Sequence, residues 1–190
     1  MRPSTMDHYI DIRLLPDPEF PPRVLLNALY GKLHRGLVAQ GGQNIGLSFP
    51  DVSRNGLGTR LRLHGMAAEL ANFMARGWLL GMRDHTIVSP VQPVPTLKAY
   101  RVVRRVQAKS SPERLRRRLM ARKGVSAEEA EQAIPDSAVE RLDLPYVVLN
   151  SQTTGQQFRL FVEHRPLQDH PRSGPFSAYG LSSIATIPWF

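Results

Sequence analysis

The sequence contains no cysteine among its 190 residues. This absence excludes disulfides, thiolate nucleophiles and cysteine-based zinc sites. No apolar run reaches the roughly 18 residues that mark a transmembrane candidate, so we predict no membrane-spanning helix. Residues 1–6 lack the apolar stretch of a signal peptide. We interpret residues 1–5 as a short extension, with Met6 as an alternative start, and expect a cytoplasmic location.

Acidic residues are almost missing from residues 101–123, where Glu113 is the only one. The same window holds ten Lys and Arg, so its balance of +9 equals that of the whole chain. The remaining residues carry fifteen basic and fifteen acidic side chains and sum to zero. A near-neutral body with one cationic segment is typical of a protein that binds a polyphosphate. The sequence pI of about 10.6 favours nucleic acid as the partner, without separating RNA from DNA.

The first half of the chain alternates between strand and helix signals. Hydrophobic residues make up 42% of the sequence, which suffices for a packed core. The predicted elements are a strand at 8–14, a helix from Pro21 or Pro22 to Gly41-Gly42, strands at 45–49 and 60–64, a helix at 66–74 and a strand at 85–88. This βαββαβ order is the ferredoxin-like pattern. In the first helix, the apolar positions are Val24, Leu25, Ala28, Leu29, Leu33, Leu37 and Val38.

A smaller second part follows. Prolines at 90, 93 and 95 predict a linker, so we expect a ferredoxin-like domain over 1–92 and a second α/β part over 93–190. The second part is predicted to contain a strand at 100–107, a helix from Ser111-Pro112 to Lys123, a short helix capped by Ser126 and Glu129 and closed by Pro135, and strands at 146–149 and 157–162. The expected fold class is therefore α+β.

The helix predicted after Pro112 has one strongly basic face. At 100° per residue, four arginines share an arc of about 140°; these are Arg114, Arg117, Arg118 and Arg122. Leu115 and Leu119 form an apolar edge beside them, and Arg116 points to the opposite side. A solvated surface helix is one interpretation, but such helices normally interleave acids. Like charges on one face repel unless an anion neutralises them, which favours a phosphate-binding helix.

Other candidate residues leave two interpretations open. Arg105 and Gln107 alternate onto one face of the predicted strand, where they either read base edges or form an ordinary exposed surface. His34, on the first helix, is by position alone a spacer at the surface or partly buried. Tyr179 and Phe158 are by default core or sheet residues. Adjacent Asp-His pairs lack the spacing of metal ligands, so no metal site is predicted.

Several segments together resemble the type I-F CRISPR repeat-processing endoribonuclease family. The segments that carry the resemblance are 7–13 (DHYIDIR), 31–34 (GKLH), 104–120 (RRVQAKSSPERLRRRLM), 151–161 (SQTTGQQFRLF), 179–181 (YGL) and 188–190 (PWF). They occur in the family's order and span residues 6–190. The family joins a ferredoxin-like domain to a smaller part with an arginine helix. It binds the stem-loop of CRISPR repeat RNA and cuts once at the 3′ base of the stem.

The resemblance also implies partners and site residues. The expected enzyme needs no metal or cofactor, is monomeric when free, and stays on its product within a type I-F surveillance complex. The implied roles are His34 as general base, Ser151 as the residue that positions the ribose hydroxyl, Tyr179 beside the histidine, Arg105 and Gln107 on guanines, Phe158 stacked on the closing base pair, and Arg114, Arg117, Arg118 and Arg122 in the hairpin groove. Two positions depart from the family. Thr153, which the resemblance includes among the catalytic residues, replaces a second serine of the active-site loop and keeps its hydroxyl, and Ala121 replaces an arginine of the helix.

The implied chemistry is physically consistent. Without a metal, the substrate's own 2′-hydroxyl attacks phosphorus, giving a 2′,3′-cyclic phosphate and a 5′-hydroxyl. A histidine has a reference pKa of about 6.5, and a general base typically contributes ~10²–10⁴-fold. The alternatives are a non-cleaving hairpin-binding subunit disturbed at Thr153, a metal-dependent nuclease, and a ribosomal-type RNA binder.

Overall fold

A computed structural model describes residues 6–96, 99–107, 112–135, 142–151 and 155–190. Within these ranges the helices are α1 (Pro22–Gln40), α2 (Ala67–Ala75), α3 (Pro112–Lys123) and α4 (Ala127–Ala133). The strands are β1 (His8–Leu14), β2 (Gly46–Ser48), β3 (Arg60–Gly65), β4 (Thr86–Val88), β5 (Gln92–Pro93), β6 (Ala99–Arg101), β7 (Val103–Val106), β8 (Tyr146–Asn150), β9 (Gln157–His164) and β10 (Ile187–Trp189). The α+β class is confirmed. None of the described helices combines the length and apolarity that crossing a bilayer requires.

The first six elements form an antiparallel sheet with helices between its strands. They follow the predicted βαββαβ order, and the strands lie side by side as β2-β3-β1-β4. In β1 the alternating residues Ile10, Ile12 and Leu14 are buried, which is the period-two pattern of a sheet with one face on the core. The sheet therefore gives α1 and α2 an apolar surface to pack on.

Helix α1 is the long element on which the first candidate residue lies. Pro22 occupies its first turn, and Gly41 ends it in the left-handed conformation, with φ 69°. Its buried residues are Leu25, Leu26, Leu29, Tyr30, Leu33 and Leu37. The predicted apolar face was wrong at Val24 and Val38, whose side chains are 49% and 56% exposed. At 100° per residue both lie roughly opposite Leu29. Ala28, also predicted on this face, is exposed as well, so the buried arc is narrower than predicted.

Three other predictions need correction. The proline segment is not only a linker, because Gln92–Pro93 form β5 on the edge of β1, where proline is tolerated. The single strand predicted at 100–107 is two strands in different sheets, β6 and β7, and Gln107 lies beyond them. Strand β10, which pairs with β6, was not predicted. Strands β5 and β10 pair with the distant strands β1 and β6, and the local sequence does not reveal such pairing.

The chain divides into two compact units. One contains the residues up to Arg105 together with Leu144–Phe190, and the other contains Val106–Asp143. The first unit also contains the hairpin β8–β9, in which Tyr146 pairs with Phe161. The functional division predicted at residues 92 and 93 stays a prediction.

The second unit contains α3 and α4. Helix α3 ends before Gly124, which has φ 64°, as predicted. The capping box of α4 is confirmed, since Ser126 Oγ accepts from the Glu129 amide and Glu129 Oε2 accepts from the Ser126 amide. Arg116 Nε donates to the Ile134 carbonyl at 2.8 Å, so it packs toward α4. Four side chains of the predicted basic face are exposed: Arg114, Arg117, Arg118 and Arg122.

Candidate active site

His34 lies in the second half of α1, partly buried, with its ring orientation fixed by the backbone of a distant loop. Its Nδ1 is 2.9 Å from the carbonyl oxygen of Ala178. A carbonyl oxygen only accepts, so Nδ1 carries the proton and donates it. In the neutral ring the other nitrogen, Nε2, therefore holds the lone pair. The arrangement prepares His34 to accept a proton through Nε2.

Tyr179 packs flat against this imidazole. The two ring centroids are 4.1 Å apart and the planes differ by 7°. Tyr179 belongs to a tight turn, in which the Gly180 amide donates to the Ser177 carbonyl and Gly180 has φ 69°. A Cβ at position 180 would lie 2.9 Å from the Leu47 Cβ, so glycine is required for both conformation and space. The turn therefore holds the Tyr179 ring against His34.

The turn is also fastened from inside the core. Tyr30, one helical turn before His34, is completely buried, and its hydroxyl donates to the Tyr179 carbonyl at 2.9 Å. Burial raises the pKa of the Tyr30 phenol, so the phenol stays protonated and remains a donor. The helix thus holds the loop through two hydrogen bonds, one from Tyr30 and one from His34. The sequence analysis missed Tyr30, although its position four residues before the histidine was a usable signal.

A cleft of about 660 Å³ joins the predicted catalytic residues of the first unit. His34, Ser151, Phe158 and Tyr179 all line it. Ser151 follows β8 and begins the β8–β9 connection, where its amide donates to the Gln156 carbonyl and its carbonyl accepts from the Gly155 amide. The structure therefore brings together residues from three distant parts of the chain.

The wall of the cleft that faces Ser151 and β8 is formed by α1. Asn27 Oδ1 accepts from the Val148 amide at 2.9 Å, which ties α1 to β8. Lys32 and Arg35 line the cleft, and among the described residues no aspartate or glutamate lines it. The cleft is therefore cationic as well as concave, which suits a phosphodiester. Neither cation was singled out from the sequence, where each is an ordinary basic residue on a helix.

Arg105 lies beside the aromatic residues of this cleft and lines a second one. Its guanidinium carbon lies 5.1 Å from the Tyr179 ring centroid and 5.6 Å from that of Phe158. Its Nε is buried without a hydrogen-bond partner in the described part of the chain. Arg105, Arg104 and Tyr179 also line a cleft of about 440 Å³. The structure thus places the predicted base-reading arginine next to two predicted site aromatics.

The remaining predicted residues belong to the second unit or lie outside the described residues. Thr153 lies outside the described residues. Gln107 is exposed and belongs to the second unit, as do the arginines of α3. Among the described residues, no three His, Asp or Glu side chains come together in a way that could hold a metal ion.

Comparison with known proteins gives concordant matches. A family model described as "CRISPR-associated protein (Cas_Csy4)" matches residues 9–190. A relative from Pseudomonas aeruginosa (strain UCBPP-PA14), named CRISPR-associated endonuclease Cas6/Csy4, is 57% identical over 187 residues, which cover 97% of this chain and 100% of the relative. A relative of the same name from Escherichia coli (strain UTI89 / UPEC) is 49% identical over 185 residues, with coverage of 97% and 100%.

Proposed function

The chain belongs to the Cas_Csy4 family of CRISPR-associated proteins, and on this basis we propose that it is an endoribonuclease that matures CRISPR repeat RNA. Its substrate is the stem-loop of the repeat, and it cuts once at the 3′ base of the stem without a metal ion. The enzyme stays bound to the mature guide RNA. The observation that carries the proposal is the hydrogen bond from His34 Nδ1 to Ala178, which leaves the Nε2 lone pair to act as base in a cationic cleft.

The reaction follows from that geometry. His34 Nε2 takes the proton of the 2′-hydroxyl, and O2′ attacks the adjacent phosphorus. The bond between phosphorus and O5′ breaks, and the leaving O5′ takes up a proton. The products are a 2′,3′-cyclic phosphate on the upstream RNA and a 5′-hydroxyl on the downstream RNA. Ser151 orients the attacking ribose, a positioning effect.

Neighbouring residues hold the imidazole and the RNA. Tyr179 keeps the His34 ring in plane through their stacking contact. Phe158 stacks on the closing base pair of the hairpin, and Arg105 reads a guanine edge near it. Gln107 reads a second guanine. The exposed arginines of α3 neutralise stem phosphates. Other subunits of a surveillance complex bind the protein–RNA product in the cytoplasm, and the free protein is a monomer.

One gel tests the reaction type. The purified protein is incubated with repeat RNA in excess chelator, and the 3′ end of the upstream product is identified by mass. We expect a single cut with a 2′,3′-cyclic phosphate. A matched RNA with 2′-deoxyribose at the nucleotide before the cut must stay intact, because it lacks the nucleophile. Cutting that requires added metal, or cutting of the deoxy substrate, would refute the mechanism.

A variant separates cutting from binding. His34→Ala is expected to abolish cleavage while hairpin affinity stays within about twofold, since a general base contributes ~10²–10⁴-fold to rate and little to binding. Equal losses of both would remove His34 from the role of base. If the wild-type protein binds the hairpin tightly and never cuts it, the alternative holds: the chain is a non-cleaving hairpin-binding subunit of the same complex, and Thr153 is the first residue to revert to serine.

A further inference from the structure

A second basic groove opens on the opposite side of Lys32 and Arg35 from His34. Its volume is about 520 Å³, and its six lining residues are Lys32, Arg35, Gly36, Ala39, Arg76 and Trp78. Of these six described residues, three are cations and none is acidic. Lys32 and Arg35 line the catalytic cleft as well. The two concave surfaces therefore share one wall, which is the Lys32–Arg35 face of α1.

The sequence builds this groove with small residues. Gly36 and Ala39 form its α1 side, and a Cβ at position 36 would lie 3.0 Å from the Trp78 Cβ and 3.1 Å from Phe73 Cε2. A larger residue at 36 would therefore push the indole away from the helix. Trp78 stacks on Phe73, with ring centroids 5.1 Å apart, so the indole is held in place. The groove is thus a rigid part of the first unit.

The positions of the cations also follow from the fold. Lys32 Nζ donates to the Leu80 carbonyl at 2.6 Å, which anchors the amine at the rim. Arg76 ends α2, is exposed, and makes no ion pair within the described residues. Unneutralised charge in a concave surface raises the local concentration of anions. Backbone phosphates that follow such a groove, with bases against an aromatic wall, are the usual ligand of single-strand binding surfaces.

We propose that the groove lined by Lys32, Arg35, Arg76 and Trp78 binds the single-stranded RNA that continues 3′ of the cut. This inference rests on the proposed function, which places the scissile phosphate in the adjoining cleft. A strand that leaves that cleft along the shared wall passes from Lys32 and Arg35 to Arg76. The groove thus extends the recognised substrate beyond the hairpin. After cleavage the 3′ strand is no longer part of the upstream product, so that product lacks the contacts made in the groove.

The test compares two uncleavable RNAs that carry the 2′-deoxy nucleotide before the cut. One ends just past the scissile phosphate, and the other continues for about six nucleotides of single strand, within the site size of single-strand binders. Dissociation constants are measured over a range of salt concentrations. The wild-type protein should bind the longer RNA more tightly and with a steeper salt dependence, by roughly 0.7 per additional phosphate contact.

Arg76→Ala is the decisive variant, because Arg76 lines the second groove and does not line the catalytic cleft. It should weaken binding of the longer RNA about three- to fivefold and leave the short RNA unchanged. Arg76→Glu should enlarge the loss. Arg54→Ala removes the same charge from an exposed residue that lines neither groove, and it should affect both RNAs equally. If Arg76→Ala changes the dissociation constants of both RNAs equally, or of neither, the inference is wrong. A groove that binds an acidic protein instead of RNA would give this result.

The proposed function fails by a different result. Wild-type protein that does not cut the all-ribose form of the longer RNA contradicts the catalytic assignment, whatever Arg76 does. The binding comparison uses uncleavable RNA, so its outcome does not depend on catalysis. The two failures are therefore distinguishable in one set of proteins and RNAs.

Discussion

Tyr30 illustrates how a single core residue supports the active site. It is fully buried, and its hydroxyl donates to the carbonyl of Tyr179, the residue that stacks on His34. Tyr30→Phe keeps the ring and removes the donor, so the carbonyl loses its partner. An unsatisfied group of this kind costs about 1–3 kcal/mol. We expect urea unfolding to show that loss, and cleavage to slow more than hairpin binding weakens, because the turn that holds Tyr179 loosens.

Tyr9→Phe is the matched control. The Tyr9 hydroxyl donates to Gln92 Oε1 at 2.8 Å in a partly buried position on the sheet edge, where water can replace it. Its removal should cost less, about 0.5–1.5 kcal/mol, and leave the cleavage rate unchanged. Equal effects of the two variants on cleavage would show that Tyr30 acts on stability alone.

The hydrogen bond that matters most for His34 was not predictable from its neighbours. Helical spacing placed His34 on α1, and by position alone the residue is a spacer. Its partner, the Ala178 carbonyl, is 144 residues away, and backbone acceptors leave no mark in a sequence. Nothing in the sequence marks Lys32 and Arg35 as site residues either, since a basic residue on an exposed helix face is common. The resemblance to a known family named His34, and the fold shows that Nε2 is the nitrogen left available for the proposed role of base.

At the scale of elements, α3 is the helix that the sequence predicts most completely. Its start, its end before Gly124 and its exposed arginines were all predicted from spacing and capping. Strands β5 and β10 were not predicted, because they lie outside the βαββαβ pattern and pair with the distant strands β1 and β6. A helix such as α3 can be predicted from its own residues, whereas β5 and β10 are determined by the strands with which they pair.

The basic face of α3 gives the prediction at this scale. Arg117, Arg118 and Arg122 are exposed, and replacing all three with alanine should flatten the salt dependence of hairpin binding by about two to three units, at ~0.7–0.9 per phosphate contact. Arg116→Ala is the control, because Arg116 donates to the Ile134 carbonyl within the second unit. It should lower the stability of that unit and leave the salt slope unchanged. An unchanged slope in the triple variant would remove this face from the RNA interface.

At the scale of the whole molecule, the site depends on chain segments that meet only after folding. The first unit takes residues from both ends of the sequence and leaves out 106–143. His34, Ser151 and Tyr179 share a cleft because α1 packs on β8 and the Tyr179 turn closes on α1. The order of helices and strands could be predicted, but such long-range pairing has no local signature, so only the family resemblance indicated that these residues share a site.

The same core makes stability depend on pH. His64 is completely buried with its Nε2 2.8 Å from Ser48 Oγ, and burial lowers its pKa to about 3. His164 also lies in the first unit, where burial, and to a smaller extent the charge of Arg101, lower its pKa to about 4. In the unfolded chain both histidines titrate near the reference value of about 6.5. Below that value the unfolded state therefore binds protons that the folded state does not, and stability falls as pH falls.

This linkage predicts a definite window. The free energy of unfolding should be constant between about pH 7 and pH 9 and should decrease between about pH 6.5 and pH 4, with a slope approaching 1.4 kcal/mol per pH unit for each histidine. Urea unfolding at intervals of pH measures it. In the folded protein His164 Nε2 accepts from the Phe49 amide at 3.4 Å, and His164→Gln retains a side-chain acceptor there. The variant should lower the slope by the contribution of one histidine. A variant that keeps the full slope, or a wild-type stability that is flat across the window, would mean that the buried histidines are protonated in the folded state.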